Sequence, residues 1–217
     1  MLSLAEKLEP KHTALVVVDV QNDFCHPAGT LGRAGQDLSM VEEAMPGLIE
    51  TIEAARRVRT PVIFIQTVHS PWTDSQAWLT RLPDTAGDAA SICRQGTWGN
   101  DFYEIAPQEN ERVVVKHRYS AFYGTDLDVV LRALGTKTLV MTGFATNVCV
   151  ETTARDGFMR DYNIVFLSDC TGAYAREEHQ AALVNMSKYF GVVATSKEVR
   201  DIWKALPAPE REVGQPG

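Results

Sequence analysis

The chain has 217 residues, of which 45% are hydrophobic and 23% charged, a composition that excludes collagenous, disordered and disulfide-scaffold proteins. The formal net charge of −7 at pH 7 argues against nucleic acid and anionic membranes as partners, because both select basic surfaces. No apolar stretch approaches the roughly 18 residues that cross a bilayer, and the first residues lack a signal-peptide pattern. We therefore expect a cytoplasmic protein. The four cysteines are widely separated with no Cys-x-x-Cys pair, so each is expected to be a free thiol.

Apolar β-branched runs alternate with helix-period segments along most of the chain. This alternation is typical of a parallel sheet with helices on both faces, so we predict one α/β/α sandwich domain over residues 1–206. The predicted strands are residues 14–18, 62–67, 112–115, 138–142, 164–167 and 192–194. The main predicted helices are residues 47–58, 127–134, 147–162, 177–190 and 195–206. Residues 207–217, rich in Pro, Gly and charge, are predicted to form a flexible tail.

The connection between the second and third strands, residues 68–105, shows no clear periodicity. Connections this long are usually functional or mobile. This one carries five aromatic residues, Trp72, Trp78, Trp98, Phe102 and Tyr103. They have two interpretations, a cover over a crossover or the wall or lid of a pocket.

Three reactive side chains follow three of the predicted strands. Asp19 comes directly after the first strand, Lys116 after the third, and Cys149 in the first turn of the helix after the fourth. Taken singly, each has an ordinary explanation as a turn cap, a solvated loop residue or a small buried hydrophobe. In an open parallel sheet, however, ligands bind beyond the carboxyl ends of the strands, and the fold brings all three residues to that edge.

The position of Cys149 favours a thiolate. We predict Thr146 or Asn147 as the helix N-cap, which puts Cys149 where unpaired amides and the helix dipole stabilise negative charge. Lys116 would add a full positive charge. Together they could lower the thiol pKa by the one or two units that substantial ionisation requires, at about 1.4 kcal/mol per unit. Asp19 would then orient Lys116 and transfer the proton.

Three sequence blocks carry a family resemblance. They are DVQNDF at 19–24, KHRYSAF at 116–122 and TGFATNVCVE at 142–151. Together they resemble the isochorismatase-like cysteine hydrolases, and the similarity spans about residues 13–195. The resemblance implies a triad of Cys149, Lys116 and Asp19 on a six-stranded parallel sheet of order 3-2-1-4-5-6. In that order Lys116 ends a strand two places, about 10 Å, from the first strand.

The resemblance also implies the mechanism, a nucleophilic amide hydrolysis through a thioester-type intermediate. The oxyanion would meet the backbone amides of Cys149 and of Ala145 or Thr146. The resemblance further implies a cis peptide between Ala145 and Thr146.

Within the family, the metal-binding residues of nicotinamidases are mostly missing. Those enzymes bind a divalent metal through an Asp-x-His segment after the first strand and a His after the second. Residues 25–41 offer His26 and Asp37 but no Asp-x-His, and only His69 stands after the second strand. We therefore expect no metal and no other cofactor, with His69 read as a loop histidine. Isochorismatases proper cleave a vinyl ether and need no cysteine, so Cys149 argues against that branch.

Residues 116–125 and 145–158 resemble the ureidoacrylate, biuret and N-carbamoyl amidohydrolase branch, whose substrates end in a ureido or carbamoyl group. A planar group of this kind suits a narrow pocket with amide-type partners and an aromatic wall. The candidate pocket residues, for which packing or capping is the alternative, are Gln21, Asn22, Phe24, Trp98, Tyr119 and Gln180. The alternatives to a ureide hydrolase are a nicotinamidase-type amidase and a noncatalytic binding domain. The choice among ureides stays open.

The resemblance also implies a homo-oligomer, either a dimer or a tetramer.

Overall fold

Six parallel strands form one sheet at the centre of the structure, a computed structural model that describes residues 2–81 and 90–206. The strands are β1 (Thr13–Val18), β2 (Val62–Thr67), β3 (Arg112–Lys116), β4 (Thr138–Phe144), β5 (Asn163–Gly172) and β6 (Gly191–Ala194). Their spatial order is β3-β2-β1-β4-β5-β6, and every pairing is parallel. The predicted fold and strand order are confirmed. The predicted tail, 207–217, lies outside the described residues.

Helices pack on both faces of this sheet. In chain order they are α1 (Leu4–Lys7), α2 (Asn22–Cys25), α3 (Thr30–Arg33), α4 (Ser39–Arg57), α5 (Gln76–Leu79), α6 (Leu127–Ala133), α7 (Glu151–Phe158), α8 (Arg176–Asn185) and α9 (Ser196–Ala205). None of the helices in these described ranges is long and apolar enough to cross a membrane.

Alternate residues of β1 face two different apolar cores, as the two-residue period of a strand requires. Leu15 and Val17 join the core that contains residues of α4 and α9, whereas Val16 and Val18 join the core under α6 and α7. All six residues of β1 are buried. The sheet is therefore covered on both faces, and its carboxyl edge is left as the place for a site.

Helix α4 begins at Ser39, eight residues before the predicted start at residue 47. Pro46 lies inside the helix. A proline usually marks a helix start because it donates no backbone hydrogen bond, so the sequence pattern placed the boundary there. The buried side chains of Met40, Val41 and Ala44 show that the apolar stripe runs through the proline, and its burial outweighs the missing hydrogen bond.

The end of β4 approaches the end of β1 closely. Gly143 has a φ of +106°, and a Cβ at this position would stand 2.0 Å from the carbonyl oxygen of Val18. Only glycine fits such a backbone contact. β4 continues to Phe144, and a π-helical turn over Thr146–Val150 follows and leads into α7. This turn carries Cys149 to the carboxyl edge of the sheet.

Candidate active site

Asp19, Lys116 and Cys149 meet at the carboxyl edge of the sheet. Lys116 Nζ lies 2.8 Å from Asp19 Oδ2 and 3.4 Å from Cys149 Sγ. The exposed fractions of Asp19, Lys116 and Cys149 are 0%, 1% and 7%. The structure thus brings together the three residues that sequence analysis selected, with the lysine ammonium between carboxylate and thiol.

The distance between strands β1 and β3 is closed by the lysine side chain and by Thr67, which ends the intervening strand β2. Thr67 pairs in register with Lys116, and its Oγ1 donates a hydrogen bond to Asp19 Oδ1 at 2.9 Å. Asp19 has a φ of +52°, a conformation that Asp tolerates better than most residues. The carboxylate is therefore held from the β2 side by a hydroxyl and reached across β2 by the ammonium.

Gln21 fixes the end of β2 rather than lining the pocket. Its Nε2 donates to the carbonyl of Thr67 at 2.9 Å, and its Oε1 accepts from the N–H of Thr67 at 2.7 Å. Asn100 Nδ2 donates to the same carbonyl at 2.7 Å. Since Thr67 in turn bonds Asp19, the buried Gln21 side chain positions the candidate proton acceptor indirectly.

Burial dominates the charge state of the thiol. It raises the pKa of Cys149 to about 12, against the effect of the Lys116 ammonium, which lowers it. Burial also opposes the charge of Lys116, but Asp19 and Cys149 beside it raise the lysine pKa above its ordinary value. The raised pKa favours a neutral thiol beside the Lys116–Asp19 ion pair at pH 7, contrary to the thiolate that the sequence predicts, because the opposite charges of the pair largely cancel at the sulfur.

The turn before Cys149 differs from the prediction in two respects. The cis peptide joins Phe144 and Ala145, not Ala145 and Thr146, because β4 runs two residues past its predicted end and the chain turns at Phe144. The N-cap is Ala145, which makes no side-chain capping bond. Thr146 Oγ1 instead pairs with His179 Nδ1 at 2.9 Å, and Asn147 Nδ2 donates to Glu178 Oε2 at 3.1 Å. Helix α8 therefore holds this turn from outside.

The turn begins with backbone N–H groups that precede the first i to i−5 hydrogen bond of the π-helical segment. This bond runs from Val150 N to Ala145 O at 3.2 Å. The N–H groups of Thr146 and Cys149 precede it, at the end of a helical segment where amide groups have no partner within the helix. They are thus suited to bind a developing oxyanion.

A cavity of about 340 Å³ opens onto Cys149 and Lys116. It is lined mostly by apolar and aromatic side chains, with a few polar groups, which is typical of a small-molecule site. Besides those two residues its walls include Phe24, Thr67, His69, Trp78, Arg81, Arg118, Tyr119, Asn147, Tyr174 and Glu178. The described part of the β2–β3 connection therefore serves as a pocket wall.

Two of the six predicted pocket residues line this cavity, and four do not. Phe24 and Tyr119 are in the wall. The side-chain amides of Gln21 and Asn22 bind backbone groups instead. Gln21 bonds both backbone groups of Thr67, and Asn22 Nδ2 donates to Trp98 O at 2.8 Å. The two remaining residues are also placed elsewhere: Trp98 packs edge-on against His26 at 5.0 Å, and Gln180 lies exposed on the outer face of α8. These four expectations are corrected.

Sequence analysis missed several wall residues. Thr67 ends β2, and the strand-end rule that selected Asp19 and Lys116 would have found it too. Arg118 and Asn147 lie inside the recognised blocks at 116–122 and 142–151. For Arg81 and Glu178 no periodic signal existed, because one follows a short helix in the irregular connection and the other is an exposed residue of α8.

The donors around His69 do not fit a divalent metal. Within the described ranges no three His, Cys, Asp or Glu side chains are grouped as metal ligands would be. His69 is buried against Trp78, with ring centroids 5.0 Å apart. Burial and the nearby Lys116 charge lower the pKa of His69 to about 4, so its imidazole is neutral at pH 7.

A parallel α/β sheet with a thiol, an ammonium and a carboxylate at its carboxyl edge has the parts of a hydrolase that uses a cysteine nucleophile. The isochorismatase domain model matches residues 13–198, and the chain belongs to the isochorismatase family. It is 38% identical to ureidoacrylate amidohydrolase RutB of Methylobacterium radiotolerans, over 94% of this chain and 83% of that protein.

Solved structures give the same family relationship. A cysteine hydrolase from Pseudomonas syringae pv. phaseolicola is 31% identical with a TM-score of 0.79, covering 91% of this chain and 94% of that one. Nicotinamidase PncA from Bacillus subtilis is 25% identical with a TM-score of 0.71, covering 85% of this chain and 99% of that one.

Proposed function

We propose that this protein is a cysteine amidohydrolase that cleaves the terminal carbamoyl or ureido amide of a small molecule. The observation that carries the proposal is the contact of Lys116 with both Asp19 and Cys149 at the floor of a cavity of ligand size. The 38% identical relative named ureidoacrylate amidohydrolase supports the ureido class of substrate.

The reaction begins from the neutral thiol. Asp19 accepts the thiol proton while the sulfur of Cys149 forms a bond to the substrate carbonyl carbon, and the carbonyl oxygen becomes an oxyanion. Lys116, which touches both partners, stabilises the sulfur as negative charge develops on it. Because the pKa of the free thiol is raised, this charge needs to exist only during attack.

The oxyanion is bound by the N–H groups of Cys149 and of Thr146 or Ala145. As the carbon–nitrogen bond breaks, Asp19 returns its proton to the departing ammonia or amine. Asp19 then takes a proton from water, whose oxygen attacks the carbonyl carbon of the thioester-type intermediate. The carbon–sulfur bond breaks, and Asp19 gives the proton to the departing sulfur, which restores the thiol and the carboxylate. Losing one oxyanion donor typically costs about 100- to 1000-fold in rate.

Two other functions stay open. The likeness to nicotinamidase PncA favours an aromatic amide, but the donors around His69 do not fit the metal that such an enzyme binds. A noncatalytic binding domain would have no use for the Lys116–Asp19 ion pair, because burying two charges costs free energy that packing alone does not return.

The test is ammonia release from biuret, 3-ureidopropionate and nicotinamide. We expect ureides to be cleaved faster than nicotinamide, with activity retained in EDTA. A large loss in EDTA that zinc or iron restores would favour the nicotinamidase alternative.

The Cys149→Ser variant should lose at least about 10,000-fold in turnover. The matched control is Cys170→Ala, since Cys170 is also a buried free thiol but lies in the core near Thr51 and away from the cavity. Equal ammonia release from Cys149→Ser and the wild type would contradict the proposal that the protein is an amidohydrolase with Cys149 as its nucleophile.

The proposal extends to one domain over residues 1–206, and to a homo-oligomer, either dimer or tetramer, in the cytoplasm. Four free cysteines are typical of a reducing compartment. Exposed apolar side chains at Phe158, Met159 and Tyr189 offer a surface that a second subunit could cover.

A further inference from the structure

Two arginines of the cavity wall rest on the same indole ring. The guanidinium carbon of Arg81 lies 3.6 Å from the centroid of Trp78, and that of Arg118 lies 5.0 Å from it. Contact with an aromatic face holds a guanidinium in place but leaves its edge N–H groups able to bind an acceptor. The indole is therefore a platform that carries two positive charges at one side of the cavity.

Within the described residues, neither arginine is paired with a carboxylate. Arg81 donates to the hydroxyl of Tyr119 at 2.8 Å and to the carbonyl of Trp78 at 2.5 Å. Arg118 donates to the carbonyls of Thr73 and His117 and, at 3.4 Å, to Ser75 Oγ. Every one of these acceptors is neutral. By contrast, the third cation of the cavity, Lys116, is already neutralised by Asp19.

A buried hydrogen-bond donor in the same wall also lacks a partner. Trp78 is only 8% exposed, and its Nε1 has no hydrogen-bond partner among the described residues. An indole N–H can only donate, and a buried donor that stays unpaired costs about 1–3 kcal/mol. A ligand with an acceptor oxygen would remove that cost.

A second group of lining residues carries the reverse charge. Glu178 lines the cavity from α8 and accepts a hydrogen bond from Asn147 Nδ2 at 3.1 Å. The Oδ1 atom of Asn147 is buried without a partner within the described residues, so it can accept a further N–H. The arginines and the indole N–H thus attract negative oxygen atoms, while Asn147 and Glu178 attract N–H groups.

We propose that Arg81, Arg118 and the indole N–H of Trp78 form the subsite that binds the carboxylate of a ureido acid, and that these three groups set the preference for such acids over neutral ureides such as biuret. This inference rests on the proposed function, because it assumes that the ureido end lies at Cys149. The two groups of lining residues then fix the direction of the substrate, with its carboxylate on the arginines and its N–H groups toward Asn147 and Glu178. Guanidinium groups suit this role because their donors match the two oxygens of a carboxylate.

The kinetic test compares 3-ureidopropionate with its methyl ester, which has the same ureido group without the charge. The wild type should show a kcat/KM for ammonia release about tenfold or more higher for the acid. Arg81→Gln and Arg118→Gln should each raise KM for the acid about 10- to 100-fold, the range expected for a lost charged hydrogen bond. The ester should keep its kcat and KM within about twofold.

Two further variants serve as controls. Arg118→Lys keeps the charge and should retain part of the preference for the acid. Arg132→Gln removes an exposed arginine of α6 that pairs with Asp128 outside the cavity, and it should change neither substrate's kinetics. Equal kcat/KM values for acid and ester in the wild type would overturn the subsite. So would arginine variants that lower kcat/KM for the two substrates by the same factor.

A binding arm separates the subsite from the reaction. Calorimetry on Cys149→Ser should show that 3-ureidopropionate binds more strongly than N-propylurea. Adding Arg81→Gln or Arg118→Gln to Cys149→Ser should weaken the binding of 3-ureidopropionate. If no ureide is hydrolysed but this arginine-dependent binding is present, the proposed function fails and the subsite stands. If ureides are hydrolysed but binding ignores both the carboxylate and the arginines, the subsite fails and the proposed function stands.

Discussion

The floor of the cavity and its wall are built in different ways. The floor consists of Lys116 and Cys149, with Asp19 in contact behind them. Asp19 and Lys116 stand at the ends of strands β1 and β3, and both side chains are almost fully buried. In the wall, Arg81 and Trp78 come from the β2–β3 connection and Glu178 from the exposed part of α8. The comparison indicates that the sheet determines the reaction, whereas segments outside it determine which molecule reaches the thiol.

The difference has an energetic side. The floor contains a buried ion pair whose members satisfy each other, so removing one member leaves an uncompensated charge. The wall groups of Arg81 and Arg118 contact neutral oxygens and an aromatic face, and their loss leaves no buried charge behind. Floor substitutions should therefore affect both rate and stability, and wall substitutions mainly KM.

The largest effect is expected for Asp19→Asn. It removes the proton acceptor and leaves Lys116 buried without its partner, so turnover should fall by roughly 1000- to 10,000-fold and the free energy of unfolding by roughly 3–5 kcal/mol. Ammonia release and urea unfolding measure the two quantities. The double variant Asp19→Asn/Lys116→Met should regain stability but not activity. A stable, active Asp19→Asn protein would contradict the division between floor and wall.

The next effect concerns the charge state of Cys149. Because burial raises its pKa to about 12, the free thiol should be neutral below that pH, and only roughly one molecule in 10,000 should carry a thiolate at pH 8. Thiolate absorbance, taken as the difference between the wild type and Cys149→Ser, should rise only in strongly alkaline solution. A midpoint near pH 7 would mean that Lys116 and the helix end outweigh burial.

A smaller effect is expected at Gly143, where strand β4 approaches the end of strand β1 closely. Gly143→Ala would place a methyl group 2.0 Å from the carbonyl oxygen of Val18 at a φ of +106°, so we expect a loss of at least about 3 kcal/mol in unfolding free energy. Gly124→Ala is the matched control. Its φ is +67° but its side-chain position is open, so it should lose only about 1 kcal/mol. Equal losses would show that the close approach carries no weight.

The smallest effect is expected behind the oxyanion turn. His179→Phe removes the partner of Thr146 Oγ1, and the loss of about 1 kcal/mol should lower kcat about fivefold with KM unchanged. Thr146→Val should do the same. If the hydrogen bond is the cause, the double variant should be no worse than either single one. A change in KM rather than in kcat would mean that the substitution acts on substrate binding by the cavity wall.

The floor could be predicted from sequence because strand ends are visible in it. An apolar run followed directly by Asp19 or Lys116 places the side chain at a known edge of the sheet, and the resemblance supplied the strand order. The predictions that failed concern groups whose state depends on local competition for hydrogen bonds and on packing. The Gln21 amide is used on Thr67, which no periodicity reveals, and the thiol pKa depends on a burial that only packing determines. The path of the connection between β2 and β3 follows no periodic rule, so Trp78 was only one of five aromatic candidates for the wall and Arg81 was missed.

Two positions within that connection, 25 residues apart in sequence, are held side by side. A backbone bridge joins His69 to Arg94, and Arg94 also pairs with Asp74 at 3.0 Å. The chain beyond it, at Asn100, is bonded to Thr67 and so to the floor. The chain between His69 and Arg94 therefore begins and ends at one place, and its described residues include Trp78 and Arg81 of the cavity wall. Exchange of that stretch alone between relatives offers a route to new substrate ranges on an unchanged reaction centre.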